Sequence, residues 1–130
     1  MNVLEDGQLP RFLRAYDPAQ VIFSEGSPGD VMHVVQDGSV EILKADGANS
    51  IRLATLHQGE FFGEMALVDH GARHASAVAG PAGAKVLAID SAHFVYLVSQ
   101  QPSFALVMLE VVVERLRAHY AMTRNDGGRS

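Results

Sequence analysis

VIFSEGSPGDVMHVVQDGSVEI, from Val21 to Ile42, is the stretch whose reading decides the fold class. Gln20 to Ser24, Val31 to Gln36 and Val40 to Lys44 are short runs rich in β-branched and aromatic residues, which reads as three strands. Between the first two lies Glu25-Gly26-Ser27-Pro28-Gly29-Asp30, dense in turn formers. Between the second and third lies Asp37-Gly38, the strongest short-range hairpin signal in the chain, so these two runs are expected to pair across it. Arg11 to Tyr16 adds a strand before this stretch. After it, Ala45 to Ser50 reads as a polar loop. Ile51, Leu53 and Thr55 then alternate with Arg52, Ala54 and Leu56 as a half-buried strand, and His74 to Val78 and Lys85 to Asp90 supply the last two.

Glycine spacing agrees. Nine of the twelve glycines fall between Gly26 and Gly83, and those at 26, 38, 47, 59, 71 and 80 recur every 9 to 12 residues, as turns do in a sandwich or barrel. None occurs between Gly83 and Gly127. After Asp90 the pattern becomes helical. Ser91 to Ser99 forms one helix, with Ser91 or Asp90 accepting from its first amides, and Pro102 closes it and opens a second over Ser103 to Met122. That second helix has more apolar surface than one core-facing stripe needs, so part of it calls for another partner. The expectation is a single domain over 1–130, with a barrel over about 12–90, helices over about 91–123 and a frayed tail over 124–130.

Composition narrows the function. A 48% hydrophobic fraction with 19% charged residues supports a packed core, and the absence of cysteine removes disulfides and thiolate metal sites. Ten basic against fifteen acidic residues give a net charge of −5, which opposes binding to a polyanion, so DNA and RNA are not expected partners. No basic helix-turn-helix is expected after Met122. The opening MNVLEDGQLP carries Glu5 and Asp6 where an export signal carries lysines, so a cytoplasmic protein is expected. Ser91 to Leu109 is free of charge, but its polar residues and Pro102 make it two helices rather than a membrane span.

The chemistry lies in Phe61-Phe62-Gly63-Glu64-Met65-Ala66-Leu67-Val68, where a glycine is followed by about one turn of helix. The first amides of such a turn point outward and suit an anion, with Gly63 and the small Ala66 letting a ligand approach the backbone. Ten residues after Gly63, Arg73 returns from a glycine-containing loop and is placed to pair with a phosphate. Glu64 would repel that phosphate and needs a donor instead; a ribose 2′-hydroxyl supplies one. The alternative for Glu64 and Arg73 is a buried structural ion pair. His70 and His74 have i, i+4 spacing, but Gly71 opposes a helix there and no third ligand follows, so no metal is expected. Ser76 lacks a nucleophile elbow and Glu64 a second carboxylate, so no enzyme activity is expected.

FGEMALVDHGARHASAV, from Phe62 to Val78, closely resembles the phosphate-binding cassette of cyclic nucleotide-binding domains, and Val21 to Ile42 looks like the first strands and loop of that family. The resemblance covers roughly residues 12 to 120 and implies an eight-stranded jelly-roll β-barrel with a cassette helix and C-terminal helices, the last acting as a lid. It implies cyclic AMP or cyclic GMP as ligand, with Glu64 on the ribose, Arg73 on the cyclic phosphate, and Gly63, Met65, Ala66 and Ala75 lining the phosphate. Ala72 replaces the family's usual proline. His74 stands where relatives carry alanine, serine or threonine; without a hydroxyl there, one guanine contact is missing and adenine is favoured.

The resemblance implies a small signalling sensor whose last helix moves on binding and offers a surface for a homodimer or an effector protein. Two alternatives stay open: a degenerate domain serving as a protein interaction module, and a sensor of another nucleotide such as a cyclic dinucleotide.

Overall fold

The computed structural model describes residues 12–69 and 71–129, with side chains described for 12–68 and 71–118. The chain divides at Phe94 and Val95 into two compact units. The first is a mainly β unit with strands β1 (Leu13–Tyr16), β2 (Val21–Phe23), β3 (Val31–Asp46), β4 (Asn49–Leu56), β5 (Phe61–Phe62) and β6 (Ser76–Asp90), and the short helix α1 (Ala66–Asp69). All pairings are antiparallel. The order β1-β6-β3-β4 forms the main path, with β2 also on β6 and β5 also on β3.

The sheet is not closed into a barrel, and it has six strands among the described residues rather than eight. The difference lies in β3 and β6. Asp37-Gly38 does not turn the chain back; its two flanks continue as one strand, and both halves pair with β6, from Val31–Asp90 through Leu43–Ser76. A type I′ hairpin needs positive φ at both central residues, but only Gly38 has it, at 76°, and the register shifts on either side mark a bulge instead. In β6, Gly83, at 82°, precedes Ala84, the register partner of Gly38, and a side chain on Gly38 would run into the Gly83 carbonyl. The expected runs His74 to Val78 and Lys85 to Asp90 are likewise one strand, which begins only at Ser76. Counted by halves, the two long strands bring the number to eight.

The actual two-residue hairpin is Gly47-Ala48, between the paired Asp46 and Asn49, where a polar loop was expected. Gly47 sits at φ 62°, at the first central position, where a II′ turn requires it. Along β4 the buried side is that of Ala54 and Leu56, while Ile51 and Leu53 are about half exposed. The core gathers Val35, Val40, Leu56, Phe62, Ala77, Ala79, Ala84 and Val86, with Phe23 and Ile42 packed against it. Phe61-Phe62, for which no strand was expected, is buried because it adds to β3 opposite His33 and Val34.

Helix α2 (Ser91–Gln100) starts on Asp90, whose carboxylate accepts the His93 amide at 2.8 Å. Helix α3 (Ser103–Arg129) follows the break at Gln101-Pro102. In the second unit Leu97 and Met108 are buried, whereas Leu106, Val107, Leu109, Val112 and Leu116 are exposed. Among the described residues no single helix is long and apolar enough to cross a membrane.

Candidate functional site

Two backbone segments meet at Arg73. The Gly26 amide donates to the Arg73 carbonyl and the Arg73 amide to the Ser27 carbonyl, both at 2.8 Å, and Pro28 bridges Ala72. The turn-rich loop read in the sequence therefore acts as a short partner strand for the segment that carries the arginine. From there the side chain runs inward, and Arg73 as a residue is 8% exposed. Nη2 donates to the Val31 carbonyl at 2.9 Å, Nη1 to the Gly63 carbonyl at 3.3 Å, and Cζ lies 4.1 Å from the centre of the Phe23 ring.

Two glycines make this position possible. A side chain at Gly29 would fall on the guanidinium itself, and one at Gly63 would come within 2.7 Å of Nη1. Nε is buried without an acceptor. Burial pulls the Arg73 pKa down, opposed by the charge of Asp30, yet an arginine keeps its proton throughout the working pH range. The hydrogen bonds formed go to carbonyls rather than to Glu64, which disfavours a structural Glu64–Arg73 pair. What results is a cation held by dipoles, with donor capacity left over.

Of the other candidate residues, Gly63 touches it through its carbonyl. Gly63 has φ 74° and opens a tight turn in which the amides of Ala66, Leu67 and Val68 donate to the carbonyls of Gly63, Glu64 and Met65 at 3.0 to 3.2 Å. The Ala66 amide is thus engaged inside this turn, and Ala66 is 5% exposed. Glu64 is half-buried and Met65 half exposed. His74 is exposed, and its carbonyl accepts from Lys44 Nζ at 2.7 Å; Ala75 is half-buried just before β6. His70 lies outside the described residues, and among those described no three histidines or carboxylates converge as a metal site.

Sequence reading passed over His33. It is 5% exposed in β3, stacked on Phe62 at 4.9 Å and 12° and tilted against Phe23 at 5.7 Å, with Nδ1 unpartnered. Burial first, then the charges of Arg73 and Arg14, push its pKa down to about 3. The only sequence signal is its place inside the apolar run Val31 to Val35, where a histidine must be buried by its neighbours. A surface cleft of about 590 Å³, lined by Val21, Glu25, Leu43, Lys44, Ser76 and Val78 among others, includes neither Arg73 nor Glu64.

The pattern of the cyclic nucleotide-binding domain matches residues 13–101. The cyclic AMP receptor protein of Thermus thermophilus is 34% identical over 105 residues, 80% of this chain and 48% of that protein. A cGMP-dependent protein kinase of Caenorhabditis briggsae is 34% identical over 85 residues, 64% of this chain and 11% of the kinase. Among solved structures, the Thermus thermophilus catabolite activator protein superposes with a TM-score of 0.73 at 31% identity, covering 89% of this chain and 59% of that one. The chain thus spans half or less of these curated relatives. The match extends from β1 across the arginine and through the first C-terminal helix, and on that ground the chain belongs to the cyclic nucleotide-binding domain family.

Proposed function

We propose that the chain binds a cyclic nucleotide, cyclic AMP in preference to cyclic GMP, and does no chemistry on it. In this reading Arg73 holds the cyclic phosphate, Glu64 accepts from the ribose 2′-hydroxyl, and Gly63, Met65, Ala66, His74 and Ala75 line the site. The observation that carries it is the Arg73 guanidinium: buried and, among the described residues, bonded to two carbonyls and no carboxylate, with Nε lacking an acceptor. A charge so placed is costly until an anion joins it, and a singly charged phosphodiester supplies one charge and several acceptor oxygens. Guanine loses a contact because position 74 offers an imidazole rather than a hydroxyl. The similarity to a cyclic AMP receptor supports the same choice.

The sensor role follows from linkage: a ligand that binds one arrangement of α3 better than another shifts the population toward it. The exposed apolar residues of α3 would then be the output surface, toward a second copy or an effector protein in the cytoplasm. Calorimetric titration with cyclic AMP, cyclic GMP and a cyclic dinucleotide tests the reading. Tightest binding of cyclic AMP supports it, preference for the dinucleotide replaces the ligand, and no binding at all leaves an interaction module.

A further inference from the structure

We propose that Lys44 and Glu25 are positioning residues for the phosphate donor, fixing the His74 carbonyl and with it the backbone from which Arg73 extends; the role in binding rests on the function proposed above. Four contacts close a ring around this segment. The Glu25 amide donates to Ser76 Oγ at 2.8 Å, on the first residue of β6. One Glu25 carboxylate oxygen accepts the Ala45 amide at 2.9 Å, and the other lies 3.1 Å from Lys44 Nζ. Lys44 Nζ in turn donates to the His74 carbonyl at 2.7 Å.

The ring sits where the fold provides least support. His74 and Ala75 belong to no strand, yet they join Arg73 to β6. On one side Arg73 is held by its backbone bonds to Gly26 and Ser27; on the other, Lys44 reaches across from β3 to the next carbonyl. Glu25 belongs to the loop and, through Lys44, to the segment leaving the site, so the two sides of the arginine are tied to one carboxylate. The Ala45 amide first and Lys44 next hold the Glu25 carboxyl below its usual range, which keeps it ionised. Both side chains are partly exposed, 46% for Lys44 and 29% for Glu25, and the 590 Å³ cleft opens beside them. Ion pairs of that exposure add little to global stability, so the effect of this one is on geometry. Donors bind well only when held within a fraction of an ångström of the ligand's acceptors.

The test compares wild type, Lys44→Ala and Lys44→Arg, each also in an Arg73→Lys background, by nucleotide dissociation rate, thermal midpoint and amide hydrogen exchange. Lys44→Ala is expected to speed dissociation of cyclic AMP about fivefold with little change in midpoint. Lys44→Arg should restore the slow rate, and in the Arg73→Lys background the alanine should have no further effect. A wild-type dissociation rate in Lys44→Ala, or the same fivefold loss in the Arg73→Lys background, overturns the positioning role while leaving the binding site standing. A wild type that binds neither cyclic AMP nor cyclic GMP defeats the binding reading instead. Exchange at the Gly26 and Arg73 amides then still decides the ring: faster exchange in Lys44→Ala supports it, and unchanged exchange overturns it.

Discussion

Gly29 and the guanidinium of Arg73 occupy adjoining space so closely that a single methyl group on residue 29 would displace the cation. The backbone of Gly29 is not in the left-handed region, unlike that of Gly26 or Gly63, so alanine is acceptable there to the chain and unacceptable only to its neighbour. Gly29→Ala is therefore expected to weaken cyclic nucleotide binding at least about tenfold while the chain still folds. Gly59→Ala is the contrast: φ is 89° with open space around it, so it should cost about 1 kcal/mol of stability and leave affinity unchanged. Calorimetry paired with urea unfolding separates the two.

Removing the donor itself gives a larger loss. Arg73→Ala is expected to lower cyclic AMP affinity roughly 100-fold or more, corresponding to about two charge-assisted hydrogen bonds. Glu64→Gln should cost less, about tenfold, since an amide oxygen can still accept from a hydroxyl. Calorimetric titration of both variants checks the order; cyclic AMP binding that survives both unchanged would remove these residues from the site.

His33 makes stability depend on pH. Its pKa is about 3 in the folded chain against 6.5 for an ordinary histidine, so between those values the unfolded chain binds the extra proton. The stability contributed by the neutral imidazole is complete above pH 6.5 and falls by about 1.4 kcal/mol per unit as the pH drops toward 3. Urea unfolding at pH 7.5 and pH 5 should show a loss of about 2 kcal/mol from this group. In His33→Phe, which keeps an aromatic ring against Phe62 and Phe23, that part of the acid loss should vanish. An equal loss in the variant would mean that other groups carry the acid sensitivity.

Gly38 is tested through the bulge. With φ at 76° and the Gly83 carbonyl in the path of a side chain, Gly38→Ala is expected to destabilise by about 2 kcal/mol or more, read from the urea midpoint.

What the sequence made legible was local. The strands at Leu13–Tyr16 and Val21–Phe23, the turn after Gly63, the return of Arg73 and the break at Pro102 each follow from residues within a few positions of the feature. What it hid was nonlocal. Whether Asp37-Gly38 is a hairpin or a bulge depends on the presence of β6, which pairs with both flanks from more than thirty residues away. Gly29 looks like any turn glycine until the arginine across from it is seen, and Lys44 looks like a surface lysine until the His74 carbonyl is placed.

The antiparallel register of β3 and β6 also sets an order of assembly. The pair Leu43–Ser76 closes the shortest loop in that ladder and Val31–Asp90 the longest, so closure entropy favours pairing that begins at the inner end and runs outward. Every candidate ligand residue lies inside the first loop to close. The candidate segment is thus enclosed early, and the Val31 carbonyl that receives Arg73 arrives with the last rung.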